Sequence, residues 1–156
     1  MTENSRPTGV DQAQVGRVFA PTETYVVSAA KIAEMARATG ATSPLHTDRA
    51  AAQAAGYRDV VAPPTFAVVV AQRAEFVYVM DPSSGIDFSR VVHAEESFTH
   101  HRPLVAGDEV TAEVTVEAIT QRAGITMVTT RADIADETGT AVASVRSTLA
   151  VRGADA

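Results

Sequence analysis

The run over residues 65–80 (TFAVVVAQRAEFVYVM) opens directly behind Pro63 and Pro64 and is apolar on almost every helical face. Proline suits a helix start, where its missing N–H leaves no intrahelical bond unmade. A helix that is apolar all round is normally buried. At about 1.5 Å per residue the run predicts a rod of about 24 Å, enough to cross a small domain. It carries Gln72, Arg73 and Glu75 and falls short of the roughly 20 apolar residues of a membrane span. No membrane association is therefore expected. Arg73 and Glu75 are expected to face an interface, or water at the helix edge.

The segments around this rod say what it is buried in. Residues 22–27 (TETYVV) read as a short strand. Ser28 can cap a helix over residues 29–38, with Ile32, Met35 and Ala36 at helical spacing and Gly40 closing it. After a polar loop, Asp48 can cap a short alanine-rich helix ending at Gly56. Beyond residue 90 the pattern turns to period two. Val110, Ala112, Val114, Val116 and Ala118 alternate with Thr111, Glu113, Thr115 and Glu117, as in a sheet with one covered face. Strands are expected over residues 90–99, 110–119, 125–134 and 140–151, with turns at 121–124 and 136–139. One buried helix followed by antiparallel strands is an α+β domain with the sheet around the helix. This order argues against the βαβ crossovers of a dinucleotide-binding fold. Residues 1–14 are polar and read as a loose tail, and residues 15–153 as one domain.

Composition removes whole classes of chemistry. The chain of 156 residues has no cysteine, which excludes disulfides, thiolate catalysis and cysteine metal sites. A formal net charge of -6 argues against nucleic acid as the main partner. The N-terminus lacks the charged start and apolar middle of a secretory signal, so a cytoplasmic location is expected. His100 and His101 are adjacent, and on a strand they would point to opposite faces. No metal site and no cofactor are expected.

Three stretches resemble a known family. Ser43-Pro44-Leu45-His46, followed by Thr47-Asp48 and the alanine-rich helix, is similar to the hydratase motif of the MaoC-like (R)-specific hydratases and dehydratases. That motif reads Asp, any residue, Asn, Pro, a branched aliphatic, His. Val61-Ala62-Pro63-Pro64-Thr65 and Arg102-Pro103-Leu104-Val105-Ala106-Gly107-Asp108-Glu109-Val110 continue the likeness in order. The strings Val60 to Phe66 and Ser89 to His93 look like an actinobacterial subgroup. It holds accessory subunits of (3R)-hydroxyacyl-carrier-protein dehydratases and FAS1-like dehydratase N-terminal domains. The resemblance implies a hotdog fold, an antiparallel sheet wrapped around a long helix, usually paired into a dimer. It also implies an acyl thioester substrate, carried by ACP or coenzyme A, in fatty-acid metabolism.

Dehydration of such a substrate needs a base for the proton beside the carbonyl, an acid for the departing oxygen and a donor for the thioester oxyanion. The resemblance assigns the acid–base work to an Asp and a His, and the oxyanion to an N–H where the buried helix starts. His46 holds the histidine position, Ala41 the aspartate position and Ser43 the asparagine position. The oxyanion position falls on Pro64, which has no N–H; a slip of one residue makes Thr65 the donor. Asp48 reads as a helix cap. His93, with Glu95 expected on the same strand face, either lines the substrate or is a satisfied sheet residue. Catalysis is thus expected from His46 alone among the motif positions, and substrate contacts from Ser43, Pro64, Thr65 and His93.

The leading expectation is the weakly active or non-catalytic half of a dehydratase, paired with a hotdog subunit that brings Asp and His. The rivals are an active homodimeric enoyl-thioester hydratase using His46, and an acyl-thioester-binding scaffold without turnover. A thioesterase is weaker, because those hotdogs carry a carboxylate or glutamine on the central helix and Glu75 lies deep in it.

Overall fold

The computed structural model describes residues 9–153. Of the tail expected over residues 1–14, residues 1–8 lie outside the described residues. The rest is tied down. Asp11 accepts from the Ala13 amide at 2.9 Å, and buried Gln14 donates to Asp11 and to the Ser83 carbonyl, each at 3.2 Å.

Five antiparallel strands form one sheet in the order β1 (Tyr25–Val26), β3 (Glu109–Arg122), β4 (Ile125–Asp136), β5 (Ala141–Arg152) and β2 (Val91–His100). Among the described residues three α-helices accompany it: α1 (Ala29–Thr39), α2 (Arg49–Ala54) and the central α3 (Ala67–Val79), which lies chiefly over β3 and β4. This is the hotdog fold that the sequence implied. The first strand is shorter than expected, because residues 22–24 leave the ladder; there the Thr22 amide reaches the Ala112 carbonyl at 2.9 Å without regular pairing.

Local chemistry explains the elements. Ser28 accepts from the Lys31 amide at α1, and Gly40 closes that helix at φ 68°, a left-handed conformation glycine adopts without strain. Asp48 caps α2 by accepting from Ala50 and Ala51. Ala123 at φ 51° and Gly124 at φ 77° join β3 to β4 in a two-residue turn whose twist matches the flanking strands.

The core lies between the sheet's inner face and one side of α3. Ala67, Val70, Ala71, Ala74 and Tyr78 meet Val110, Ala112, Val114, Val116, Val128, Ile134 and Val145. Tyr78 packs on Phe19 with ring centroids 5.5 Å apart. The expected inward pattern of β3 fails after Val116. A bulge between Val116 and Ala118 inserts one residue, so Ile119 turns inward in place of Ala118. The apolar-all-round rule also overstated the burial of α3. Phe76, Val77 and Met80 are about half exposed, because the sheet covers only one side of the helix.

Asp108 fastens the segments around the N-terminal end of α3. Only 5% exposed, it accepts from Arg58, from Arg102 at 2.8 Å and from the Val105 amide at 2.8 Å. Arg102 also reaches Asp136, at 3.5 Å. Replacing Asp108 with Ala is expected to lower the unfolding free energy by about 2 kcal/mol; this is less than a fully buried pair would lose, since both guanidiniums can rehydrate. Urea denaturation followed by circular dichroism checks it.

Candidate functional site

A cleft of about 410 Å³ opens beside the start of α3. Its walls are mainly apolar, from Val61, Ala62, Pro63, Pro64, Ala67, Pro103 and Leu104. His46, His100, His101 and Arg102 add polar groups to its border. Such a space, greasy with few polar groups, suits an acyl chain with a polar head better than a sugar or nucleotide.

His46 is placed by two clips. A 3-10 turn over Pro44–His46 is capped by Ser43, whose hydroxyl accepts from the Leu45 amide at 3.4 Å. The Val61 amide donates to the Leu45 carbonyl at 2.8 Å, and His46 Nδ1 lies 2.7 Å from the Val61 carbonyl. A carbonyl only accepts, so Nδ1 carries a proton, and in the neutral form of the imidazole it is Nε2 that holds the lone pair. The residue is 9% exposed. This is the tautomer a general base requires.

The remaining motif positions are weaker chemically. Ala41 follows the Gly40 cap with its amide bonded to the Ala36 carbonyl at 2.8 Å, and its methyl offers no proton relay. Asp48 is engaged in capping α2, at 2.8 and 3.2 Å. Pro64 lines the cleft but has no N–H, and Thr65 beside it is the first residue after the prolines with a backbone donor. Ser43 is used by its turn and does not line the cleft. His93 lies farther along β2. The cleft thus brings together His46 and Pro64, with Thr65 adjacent.

Sequence reasoning missed His100 and His101 as neighbours in one site. The strand ends at His100 and the chain then turns, so both border the cleft, while His101 also stands beside Ser97, Thr99, Arg131 and Arg146. The Arg102-Pro103 pair, where proline halts the strand, was the available signal.

It also misplaced two acids. Glu75 does not face water or an interface: it is 6% exposed and accepts from the Thr130 hydroxyl at 2.8 Å. Its spacing from buried Ala71 and Val79, four residues to either side, carried that signal. His93 shares its face with Glu96, not Glu95, because a bulge between His93 and Glu95 adds a residue to β2. His93 Nε2 lies 2.6 Å from Glu96, which also accepts from Ser147 at 3.1 Å. Burial pushes the Glu75 carboxyl above the ordinary carboxylate range; the Thr130 hydrogen bond opposes this, and the charge of Glu96 adds to it. Burial raises Glu96 as well, against the pull of His93 and Ser147.

The comparisons agree with this geometry. Residues 13–145 match the FAS1-like dehydratase domain region. A UPF0336 protein of Saccharopolyspora erythraea is 48% identical over 144 residues, 92% of each chain. A MaoC-like dehydratase of solved structure superposes with a TM-score of 0.79 at 33% identity; 92% of this chain is covered, and this chain spans only 44% of that one. The HadBC (3R)-hydroxyacyl-ACP dehydratase complex of Mycobacterium tuberculosis gives a TM-score of 0.78 at 26% identity, covering 88% of this chain and 96% of that one. The chain belongs to the FAS1-like dehydratase family and is a hotdog protein related to the hydroxyacyl-ACP dehydratases.

Two outcomes are expected. A carboxyl whose folded pKa is raised gives stability that is full below about pH 4.3, the unfolded value, and lost as pH rises through the folded value. Glu75→Gln, neutral throughout, is therefore expected to melt higher than the parent at pH 8, with the gap closing toward pH 4.5. Its size is about 1.4 kcal/mol per unit of pKa displacement, and thermal melts across pH measure it. His46→Ala removes the clip to Val61 and is expected to lower stability by about 1–2 kcal/mol, read by denaturant titration.

Proposed function

We propose that this protein is one half of a cytoplasmic (3R)-hydroxyacyl-thioester dehydratase, acting on acyl-ACP or acyl-CoA and supplying acyl-binding wall. A partner hotdog subunit brings the Asp and His pair. The observation that carries this reading is a cleft of suitable shape whose motif positions lack chemistry, with Ala41 and Pro64 where a carboxylate and an amide donor belong. The reaction removes a proton from C2 and the hydroxyl from C3, releasing water and leaving the enoyl thioester. It needs a group to take the first and a group to protonate the second. His46 offers one such group.

Two observations support a partner other than a second copy. The MaoC-like dehydratase is about twice as long as this chain, and the HadBC structure is a complex. Strand β2, at the sheet edge, carries Glu95 and Glu96 at its middle. Self-pairing centred on either residue sets it against its own counterpart in the other copy, an unfavourable like-charge contact. The exposed apolar residues Phe76, Val77, Met80, Phe88 and Val92 supply surface for a partner to cover.

A second reading keeps His46 as the base of an active homodimeric hydratase, favoured by its free Nε2 beside the cleft. Hydration of a crotonyl thioester separates the two. The isolated chain is expected to be slower than the complete enzyme by about a hundredfold or more, the usual weight of an acid–base or oxyanion group. Addition of a hotdog subunit with the full motif is expected to restore turnover. Robust hydration by the chain alone, abolished in His46→Ala, establishes the homodimeric reading. Acyl binding without turnover in either state leaves a scaffold.

A further inference from the structure

The outer face of the sheet holds a second, smaller cavity of about 230 Å³. It lies over β2, β5 and β4 and is lined by Ser97, Thr99, His101, Arg131, Ser144 and Arg146, none of them acidic and none apolar. The residues on either side of Arg146, Val145 and Ser147, turn to the buried face, which places Arg146 and its cross-strand partners Ser97 and Arg131 on the outside. His101 borders both this cavity and the cleft, so the two spaces meet at its ring.

The register gives this cavity its charge. Arg131 stands directly opposite Arg146 across β4 and β5, a like-charge pair that a sheet disfavours. Two acids that do not line the cavity hold the guanidiniums. Glu117 accepts from Arg131 Nη1 and from Arg146 Nη2, each at 3.0 Å, and also from Arg146 Nε. Asp133 accepts from Arg131 Nε at 2.9 Å, and its other oxygen takes the Ser144 hydroxyl at 2.6 Å. Arg131 Nη2, Arg146 Nη1 and the exposed Ser97 and Thr99 hydroxyls make no hydrogen bond among the described residues. The two planar forks are thus fixed in place with donors left over. Two guanidiniums and two carboxylates leave the group neutral, so an anion is held here by directed hydrogen bonds and not by a long-range field.

We infer that this cavity is a phosphate seat, in which Arg131 and Arg146, with Ser97, Thr99 and His101, grip the phosphate of the pantetheine arm of an acyl thioester lodged in the cleft. This rests on the acyl-thioester reading of the cleft. Acyl carrier protein and coenzyme A present the acyl group on the same arm, and in both the first charged group beyond the thioester is a phosphate. Its oxygens accept from guanidinium forks and hydroxyls, the donors that the cavity keeps unspent. The seat reads the feature that the two carriers share. It lies outside the hydratase motif positions and takes no part in proton transfer.

The test is calorimetric titration of the full chain, with its partner subunit where one co-purifies, using two thioesters that differ by one phosphate: butanoyl-pantetheine and butanoyl-4′-phosphopantetheine. The parent protein is expected to bind the phosphorylated one about tenfold more tightly. Arg146→Gln and, separately, Arg131→Gln are each expected to remove most of that gap while leaving the affinity for butanoyl-pantetheine unchanged. A variant that loses butanoyl-pantetheine has a damaged cleft, and the other variant then decides. Equal affinity of the parent for both thioesters, or a gap that persists in both variants, overturns the phosphate seat and leaves the acyl reading standing. Failure of both thioesters to bind overturns the acyl reading itself and the seat with it. Butanoyl-coenzyme A separates the carriers: affinity equal to that of the phosphopantetheine thioester supports a seat for the shared phosphate alone, as a carrier protein presents it, and a further gain supports coenzyme A.

Discussion

Asp108 is the point on which the cleft's geometry depends. Its carboxylate draws Arg58 from the loop before the double proline, Arg102 from the turn after β2 and the Val105 amide to one buried position. The backbone nearby repeats the arrangement, with Val27 donating to the Asp108 carbonyl and Gly107 to the Val27 carbonyl, both at 2.8 Å. The Val61 and Ala62 segment is bonded to Leu45 on one side and Leu104 on the other, each at 2.8 Å. His46 hangs from Val61. A chain of short bonds thus links a buried acid to the orientation of a histidine more than sixty residues earlier in sequence. A buried charge is tolerable here because every bond it makes is charge-assisted or to an amide.

Much of the architecture was legible in the residues because it follows from local rules. The caps at Ser28, Gly40 and Asp48, and the alternation along β3, come from side-chain chemistry within a few positions. What was not legible arose from long-range packing. A bulge cannot be read from alternation, so Ala118 and Glu95 were assigned to the wrong faces. Glu75 was judged by its charge, yet helical spacing and the Thr130 hydroxyl placed it inside. The solvent side of α3 was hidden for a different reason: an apolar helix face looks the same in sequence whether its own sheet or another subunit covers it. At the cleft, the motif alone led to His46, whereas His100, Arg102 and Leu104 arrive there only through the fold.

The site joins a well-positioned imidazole to positions where catalytic groups are missing. Gripping an apolar chain and moving protons call for different groups, so the two tasks can fall to different residues of one cleft. In this chain the cleft's walls are apolar, while the acid on the central helix, Glu75, is buried away from it and held by the Thr130 hydroxyl.

The bulge in β2 has a consequence for how this protein can change over time. Ala94 is the surplus residue between His93, opposite Leu149, and Glu95, opposite Thr148. Its presence puts His93 and Glu96 on one side despite their odd separation. Loss of a single codon there would remove the bulge and restore plain alternation: His93 would still stand opposite Leu149 and Glu95 opposite Thr148, so every residue of the strand would keep its face. Elsewhere in a strand a change of length by one residue exchanges the two surfaces. At Ala94 it does not, so this is a point where chain length can drift by one residue while His93, Glu96, Phe98 and His100 stay on the same side.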